Sequence, residues 1–388
     1  MISPSFQAQL RAAIPDGPDA PTLPSPASLA AASASLPRRP PSHGTGGCTG
    51  ASAKGEGNDD DGGTYLAPLG TEATLTHILT DIVPALNGQA RSGRYYGFVT
   101  GGTLPAAEAA DTIVSALDQN VQVHLPGQTV ATEVESVALG MLADVLGLED
   151  GSGSESEEVW KGKTFTTGAT ATFGIFARAL EAKPEFAKIR QMASGLELAD
   201  SITVDGHKLL NVPYDCGMFF CRSLPTQTAV FTNPNAAYLS SAGASTIPSP
   251  LNIGLENSRR FRALPAYAVL RSEGRSGLAA ILGRMVLLAR KLAVWIRASE
   301  AYELLPEGEW DIEEATHMVV LFRARDEGLN EELVGRINGT REVYVSGTSW
   351  KEKKAVRVAV GSWRVDVERD FEVVTRVLGD IAKAWARG

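Results

Sequence analysis

Apolar side chains recur at helical spacing through much of the chain, and short runs of alternating or continuous apolar residues separate them. Phe6, Leu10 and Ile14 predict a short helix over 1–14. Leu75, Ile78, Leu79, Ile82 and Val83 predict an amphipathic helix over 71–86 that Pro84 helps to end. Further helices are expected over about 105–117 and 129–146. A long one carries Leu278, Ile281, Leu282, Met285, Leu288, Leu292, Trp295 and Ile296 on one face, and the last carries Phe371, Val374, Val377, Leu378, Ile381 and Trp385. Strand patterns fall at 163–167, 201–204, 218–221, 317–323, 342–346 and 355–360, with a helix over 329–337 among the later ones. The C-terminal third therefore reads as a compact α+β unit.

Composition changes this picture in two places. From Pro15 to Gly63 the chain is rich in Pro, Ser, Ala and Gly, which bury too little apolar surface to order a segment, so a disordered insertion is expected there. Glu149 to Lys163 is acidic and serine-rich, the composition of a solvated loop. Elsewhere, 388 residues at 44% hydrophobic content suffice for a sizeable core.

The net charge of −9 and a pI near 5.2 argue against nucleic acid or an acidic membrane surface as the main partner, because both demand a basic face. No apolar run is long enough to span a bilayer, and the first residues lack the basic-then-apolar order of a secretory signal. A cytoplasmic setting is the expectation. Three cysteines and five scattered histidines form neither a disulfide framework nor a metal-ligand spacing, so no metal is expected.

The chemistry gathers in Ser201-Ile-Thr-Val-Asp-Gly-His-Lys208, where a strand pattern ends in a polar turn followed by Leu209 and Leu210. A lysine at a pKa of about 10.4 is protonated near neutrality and is usually a solvated surface group. Between apolar neighbours its ammonium is destabilised, which frees the amine to attack an aldehyde.

The stretch Ala199-Asp-Ser-Ile-Thr-Val-Asp-Gly-His-Lys208, with Asn-Val-Pro-Tyr-Asp-Cys-Gly217 after it, resembles the lysine segment of the group II pyridoxal-phosphate-dependent amino-acid decarboxylases. Thr166-Thr-Gly-Ala-Thr-Ala171 is similar to that family's cofactor-phosphate segment, and a helix N-terminus with small residues and a hydroxyl suits a phosphate. The resemblance implies an α/β, fold-type-I architecture with a parallel-sheet large domain over 65–275 and a small α+β domain over 276–388, preceded by an N-terminal segment over 1–64. It implies pyridoxal 5'-phosphate held by Lys208 as a Schiff base, with His207 supporting the phosphate. Gly168, Ala169 and Thr170 would bind that phosphate, and Asp205 would lie beside it, although a carboxylate there repels an anion. His124 follows from the same resemblance as a site residue, against the plainer reading of a core or turn histidine. The glycine-rich loop Ser92 to Gly102 resembles the substrate-entry loop. The implied reaction is decarboxylation of a small-molecule L-amino acid by a homodimer. Arg259, Arg260 and Arg262 could bind a carboxylate, but arginines more often form structural ion pairs.

One departure from the family stands out. Thr172 runs straight into Phe173-Gly-Ile-Phe-Ala-Arg-Ala-Leu180, which resembles the sequence just after the family's ring-nitrogen aspartate. Several strand-helix units, on the order of a hundred residues at roughly 30 or more per unit, are absent between the two motifs. The residues that stack on the cofactor ring and pair with its nitrogen fall in that gap. A shortened large domain is therefore expected, with activity impaired or lost.

Overall fold

A computed structural model describes residues 4–14, 16–37, 68–86, 88, 91–148, 160–167, 176–180, 182–232 and 246–388. The chain divides into two compact units, Met1–Pro15 with Leu23–Asn87, and Asp16–Thr22 with Gly88–Gly388.

The first unit is helical: α1 (Pro4–Ala13), α2 (Pro26–Ser35) and α3 (Thr71–His77), the last running on through a π-helical turn, Ile78–Ile82, and a 3-10 turn, Val83–Ala85. Helix α2 corrects the expectation of disorder over residues 16–37, while 38–63 lie outside the described residues. Ser25 caps it by accepting the Ser28 N–H, Pro26 takes the first turn where it lacks nothing, and the Ala-rich run that follows has high helix propensity. Pro/Ser/Ala composition lowered the expected order, whereas the local arrangement of the same residues favours a helix.

The second unit opens with β1 (Tyr95–Tyr96), α4 (Pro105–Ala116), α5 (Ala131–Val145) and β2 (Gly162–Thr166). It continues with α6 (Ala187–Met192), β3 (Ser201–Asp205), α7 (Gly206–Leu209), β4 (Gly217–Cys221) and α8 (Leu224–Phe231). The long α9 (Ala263–Ala298) breaks at Gly274, whose φ of 60° and ψ of −170° fit no right-handed helix. After it come β5 (Tyr302–Leu305), α10 (Ile312–Ala315), β6 (Val319–Ala324), α11 (Glu327–Gly339), β7 (Tyr344–Trp350), β8 (Lys353–Ala359) and α12 (Val367–Arg387).

Two sheets result. Among the described residues the large-domain sheet has three strands, in the order β2-β4-β3, and both ladders are antiparallel. This differs in detail from the expected parallel sheet. The outer strands β2 and β3 do run the same way, but β4 lies between them in the opposite direction. A parallel ladder needs a crossover connection between its strands, whereas β4 follows β3 after a short connection and pairs with it antiparallel. Phe165, Val204, Met218 and Phe220 point from these strands into the core and are almost completely buried, each contributing on the order of 1.5–3 kcal/mol.

The second sheet runs β1-β7-β8-β6-β5, with β1 parallel to β7 and the other pairs antiparallel. Helices α9, α11 and α12 cover it, and Leu292, Ile296, Phe322, Val345, Val358 and Leu378 fill the interior. Tyr302 stands edge-on to Phe322 and donates its hydroxyl to the Leu378 carbonyl at 2.8 Å, so no polar atom of that ring is stranded. The charged turn between β7 and β8 is tighter than its composition suggests. The ladder runs to Trp350 opposite Lys353, leaving Lys351 and Glu352 as a two-residue loop with both φ values positive.

Arg259 ties the first sheet to its helices. Its guanidinium donates to both carboxylate oxygens of Glu135 on α5 at 2.7 Å and to the Phe165 carbonyl on β2 at 3.1 Å, all away from water. Burial pushes the Glu135 carboxyl up, and Arg259 acts against that push. Arg259→Met should therefore strand a buried carboxylate and lower the unfolding free energy by roughly 3–5 kcal/mol, measured by urea denaturation. A loss below about 1 kcal/mol would show the pair to be solvated.

His317 sits against Arg290 with its pKa pushed down to about 4, first by burial and then by that guanidinium. The folded protein thus prefers the neutral ring, while the unfolded chain takes up a proton near the ordinary value of about 6.5. Stability should be complete above that value and fall as pH drops from about 6.5 to 4, and His317→Gln should flatten this window in denaturation midpoints measured at several pH values.

Candidate active site at the end of strand β3

Strand β3 delivers Asp205, and the single turn of α7 places His207 and Lys208 directly beyond it. The turn is fixed by its neighbour strand. The N–H groups of Gly206 and His207 both donate to the Cys216 carbonyl, at 2.8 and 3.2 Å. Gly206 makes the crossing close, since a Cβ there would lie 3.1 Å from the Cys216 sulfur and 3.2 Å from that of Met218, tighter than ordinary contact.

The Cys216 N–H in turn donates to His207 Nδ1 at 3.2 Å. A backbone N–H can only donate, so Nδ1 is the acceptor and the ring proton sits on Nε2. That nitrogen faces Asp205 Oδ1 at 3.7 Å. Burial pushes the His207 pKa down, and the Asp205 charge opposes this without reversing it. Tyr214 packs on the imidazole with ring centroids 4.5 Å apart and planes tilted by 31°.

Lys208 reaches back to the same carboxylate, its Nζ 2.8 Å from Asp205 Oδ2. The lysine side chain is 27% exposed and that of the aspartate 3%. The structure thus brings Asp205, His207 and Lys208 together as one cluster, a buried carboxylate shared by an amine and an imidazole.

His124 is placed differently. It is buried, its Nδ1 lies 2.7 Å from the Thr132 hydroxyl, and its N–H donates to Ser249 at 3.3 Å. Those bonds join the 120–130 loop to α5 and to the stretch before α9. Gly168, Ala169 and Thr170 lie outside the described residues.

Sequence reasoning missed Asn211. Its φ of 55° places it in the left-handed region, where Asn is among the few side chains tolerated. Its side-chain amide donates to the Leu209 carbonyl at 2.9 Å, and its Oδ1 accepts the Trp363 N–H at 2.8 Å. The backbone carbonyl accepts the Leu104 N–H at 2.9 Å. One residue thereby fastens the lysine turn to the 101–104 loop and to the segment before α12. Asn before Val-Pro was the available signal. It went unread because local turn chemistry does not reveal distant partners.

The glycine-rich loop also meets the lysine turn. A Cβ on Gly101 would stand 2.6 Å from the Lys208 carbonyl and 2.6 Å from Asn211 Oδ1. The absent side chain lets the loop backbone approach the lysine turn itself. Tyr95, at the start of the loop, stacks on Tyr344 at 4.4 Å through the β1-β7 pairing.

The three arginines all face carboxylates of this chain. Arg260 pairs with Asp111, and Arg262 joins Asp215 at 2.9 and 3.1 Å and Glu256 at 3.0 Å. Burial works upward on the Asp215 carboxyl, yet Arg262 wins and its pKa stays below the usual value. Since Asp215 follows Tyr214, this pair holds the residue beside the ring that packs on His207.

The family model of the pyridoxal-dependent decarboxylase conserved domain matches residues 182–325, which include β3, the lysine turn, β4 and the arginine cluster. The aromatic-L-amino-acid decarboxylase of Sus scrofa is 29% identical over 185 residues, 47% of this chain and 36% of that protein. The L-2,4-diaminobutyrate decarboxylase of Acinetobacter baumannii is 32% identical over 151 residues, 38% of this chain and 28% of that protein. The matched stretch thus spans about a third of these relatives. The structure of Oryza sativa TDC with PLP and tryptamine superposes with a TM-score of 0.67 at 18% identity, covering 94% of this chain and 93% of that one. Over residues 182–325 the chain is similar to the pyridoxal-dependent decarboxylase domain, and its fold is like that of the solved TDC structure.

Gly101→Ala should force the lysine turn and the loop apart and cost roughly 1–3 kcal/mol, read as a lower urea midpoint. An unchanged midpoint would mean that the loop and the turn do not touch in solution.

Proposed function

We propose that the chain is a carboxy-lyase that decarboxylates an L-amino acid with pyridoxal 5'-phosphate. The observation that carries the reading is the partly exposed Lys208 amine at the end of β3, with the His207 imidazole beside it and Tyr214 packed on that ring. The match of residues 182–325 to the decarboxylase domain supports it. When bound, the cofactor supplies an aldehyde that condenses with an amine and a pyridine ring that withdraws electrons from the substrate α-carbon.

The residues present fit such a group in two respects. Lys208 offers an amine within a buried polar cluster rather than in bulk water, and His207 presents an Nε2–H donor whose ring is fixed from its other nitrogen. Gly168, Ala169 and Thr170 complete the reading as phosphate ligands through backbone and hydroxyl, on the strength of the sequence resemblance. His124 is carried as a site residue on the same basis, and its hydrogen bond to Thr132 equally supports a structural role.

The reading includes a homodimer in the cytoplasm. Support for the dimer comes from Ile113, Leu117 and Val137, apolar residues on or next to α4 and α5 that are at least half exposed. No helix among the described residues is long and apolar enough to cross a membrane. A second reading, in which the chain binds the cofactor or a partner without turnover, is favoured by the three strands of the sheet among the described residues and by the departure from the family's spacing between 172 and 173.

The visible absorbance of the purified protein with added pyridoxal phosphate tests the proposal, with Lys208→Ala as control. A band in the parent that the variant lacks, followed by release of amine and carbon dioxide from an amino acid, is the expected result. Folded parent protein without a band would remove the enzymatic reading.

A further inference from the structure

Asp205 occupies a place where the sequence reading put a phosphate contact, and the structure gives it other work. Its carboxylate is 3% exposed and lies 2.8 Å from Lys208 Nζ, with the His207 Nε2–H on its other oxygen's side at 3.7 Å. A carboxylate so enclosed has little water to solvate its charge, so it depends on these neighbours for stabilisation. The cluster is held on both sides: β3 is laddered to β4 through Asp205 opposite Gly217, and the turn after it hangs on the Cys216 carbonyl. The backbone that carries both groups is thereby fixed, which leaves rotation of the lysine side chain as the way the pair opens.

We propose that Asp205 is a positioning residue that holds Lys208 as an ammonium counter-ion in the resting protein, so that the amine is withheld from carbonyl compounds until the pair is opened. The inference deepens the reading of Lys208 as the cofactor lysine and rests on it for the identity of the natural aldehyde; the ion pair stands independently. Attack on an aldehyde requires the ammonium proton to leave for solvent, after which the nitrogen lone pair forms the C–N bond and the carbonyl oxygen departs as water. A neighbouring anion makes the first of these steps harder. The same charge repels a phosphate, which argues against Asp205 as a phosphate ligand.

The test uses the full chain and 4-pyridinecarboxaldehyde, an aldehyde with a ring and no phosphate, with cyanoborohydride as the hydride donor that fixes the adduct. Modification at Lys208 is read by peptide mass spectrometry relative to the exposed Lys161, at pH 7.5 and for several reaction times. In Asp205→Asn the Lys208 to Lys161 ratio should rise about fivefold, the change that an ion pair of ~1 kcal/mol represents. Asp205→Glu, which restores the charge, should bring the ratio back toward the parent. An equal or lower ratio in Asp205→Asn would overturn the proposal, since a merely structural aspartate would not enhance trapping at one lysine in a folded protein.

Circular dichroism checks that the variant is folded. Should Asp205→Asn fail to fold, the parent alone decides. Its Lys208 should be trapped about fivefold more slowly than Lys161, and a Lys208 trapped as fast as Lys161 would overturn the proposal. Because the probe carries no phosphate, a chain that fails to bind pyridoxal phosphate would still give either result, so failure of the cofactor reading and failure of this one remain separate.

Discussion

Arg259 is the point on which the large domain depends. Three strands make a narrow sheet, and a narrow sheet buries too little apolar surface to fix its helices by packing alone. Arg259 compensates with directed bonds. Besides Glu135 and Phe165 its guanidinium donates to the Val121 carbonyl, and its N–H donates to the Asn120 side chain. A planar five-donor group can satisfy so many acceptors at once, and lysine cannot. Arg262, three residues on, continues the same network to Asp215 beside the candidate site.

The site inherits its order from that frame. Strand β4 connects to both outer strands, so the Cys216 carbonyl that holds the lysine turn is itself held by two ladders. The Asp205, His207 and Lys208 cluster is consequently preorganised by backbone rather than by side-chain packing alone. Asn211 adds the connection to the 101–104 loop and to the residues before α12, which brings one end of the second sheet's connections to the lysine. Chemistry at Lys208 is thus coupled to the position of loops distant in sequence.

The shortened sheet and the intact lysine segment pull the functional reading in opposite directions. Everything that orients Lys208 within its own turn is present and well bonded. Among the described residues the large-domain sheet has three strands. The lysine turn is held by β4, so its order does not depend on a wider sheet.

Much of the fold was legible in the chain by itself. Helical spacing located α1, α3, α4, α5, α9, α11 and α12, because an amphipathic stripe reports directly which face is buried. The lysine segment marked the candidate site through its resemblance to a decarboxylase motif. Composition misled at α2, where the Ser25 cap and the Ala run outweigh the Pro/Ser content, and the strand Tyr302–Leu305 escaped notice as too short to show a period. What only the tertiary structure decided was pairing. The antiparallel order β2-β4-β3, the union of Gly101 with the Lys208 carbonyl, and the capture of Lys208 by Asp205 rather than by solvent all involve partners or orientations that sequence spacing leaves open. Periodicity records how each segment meets an interior; which charge meets which is settled when the segments are packed and water is removed between them.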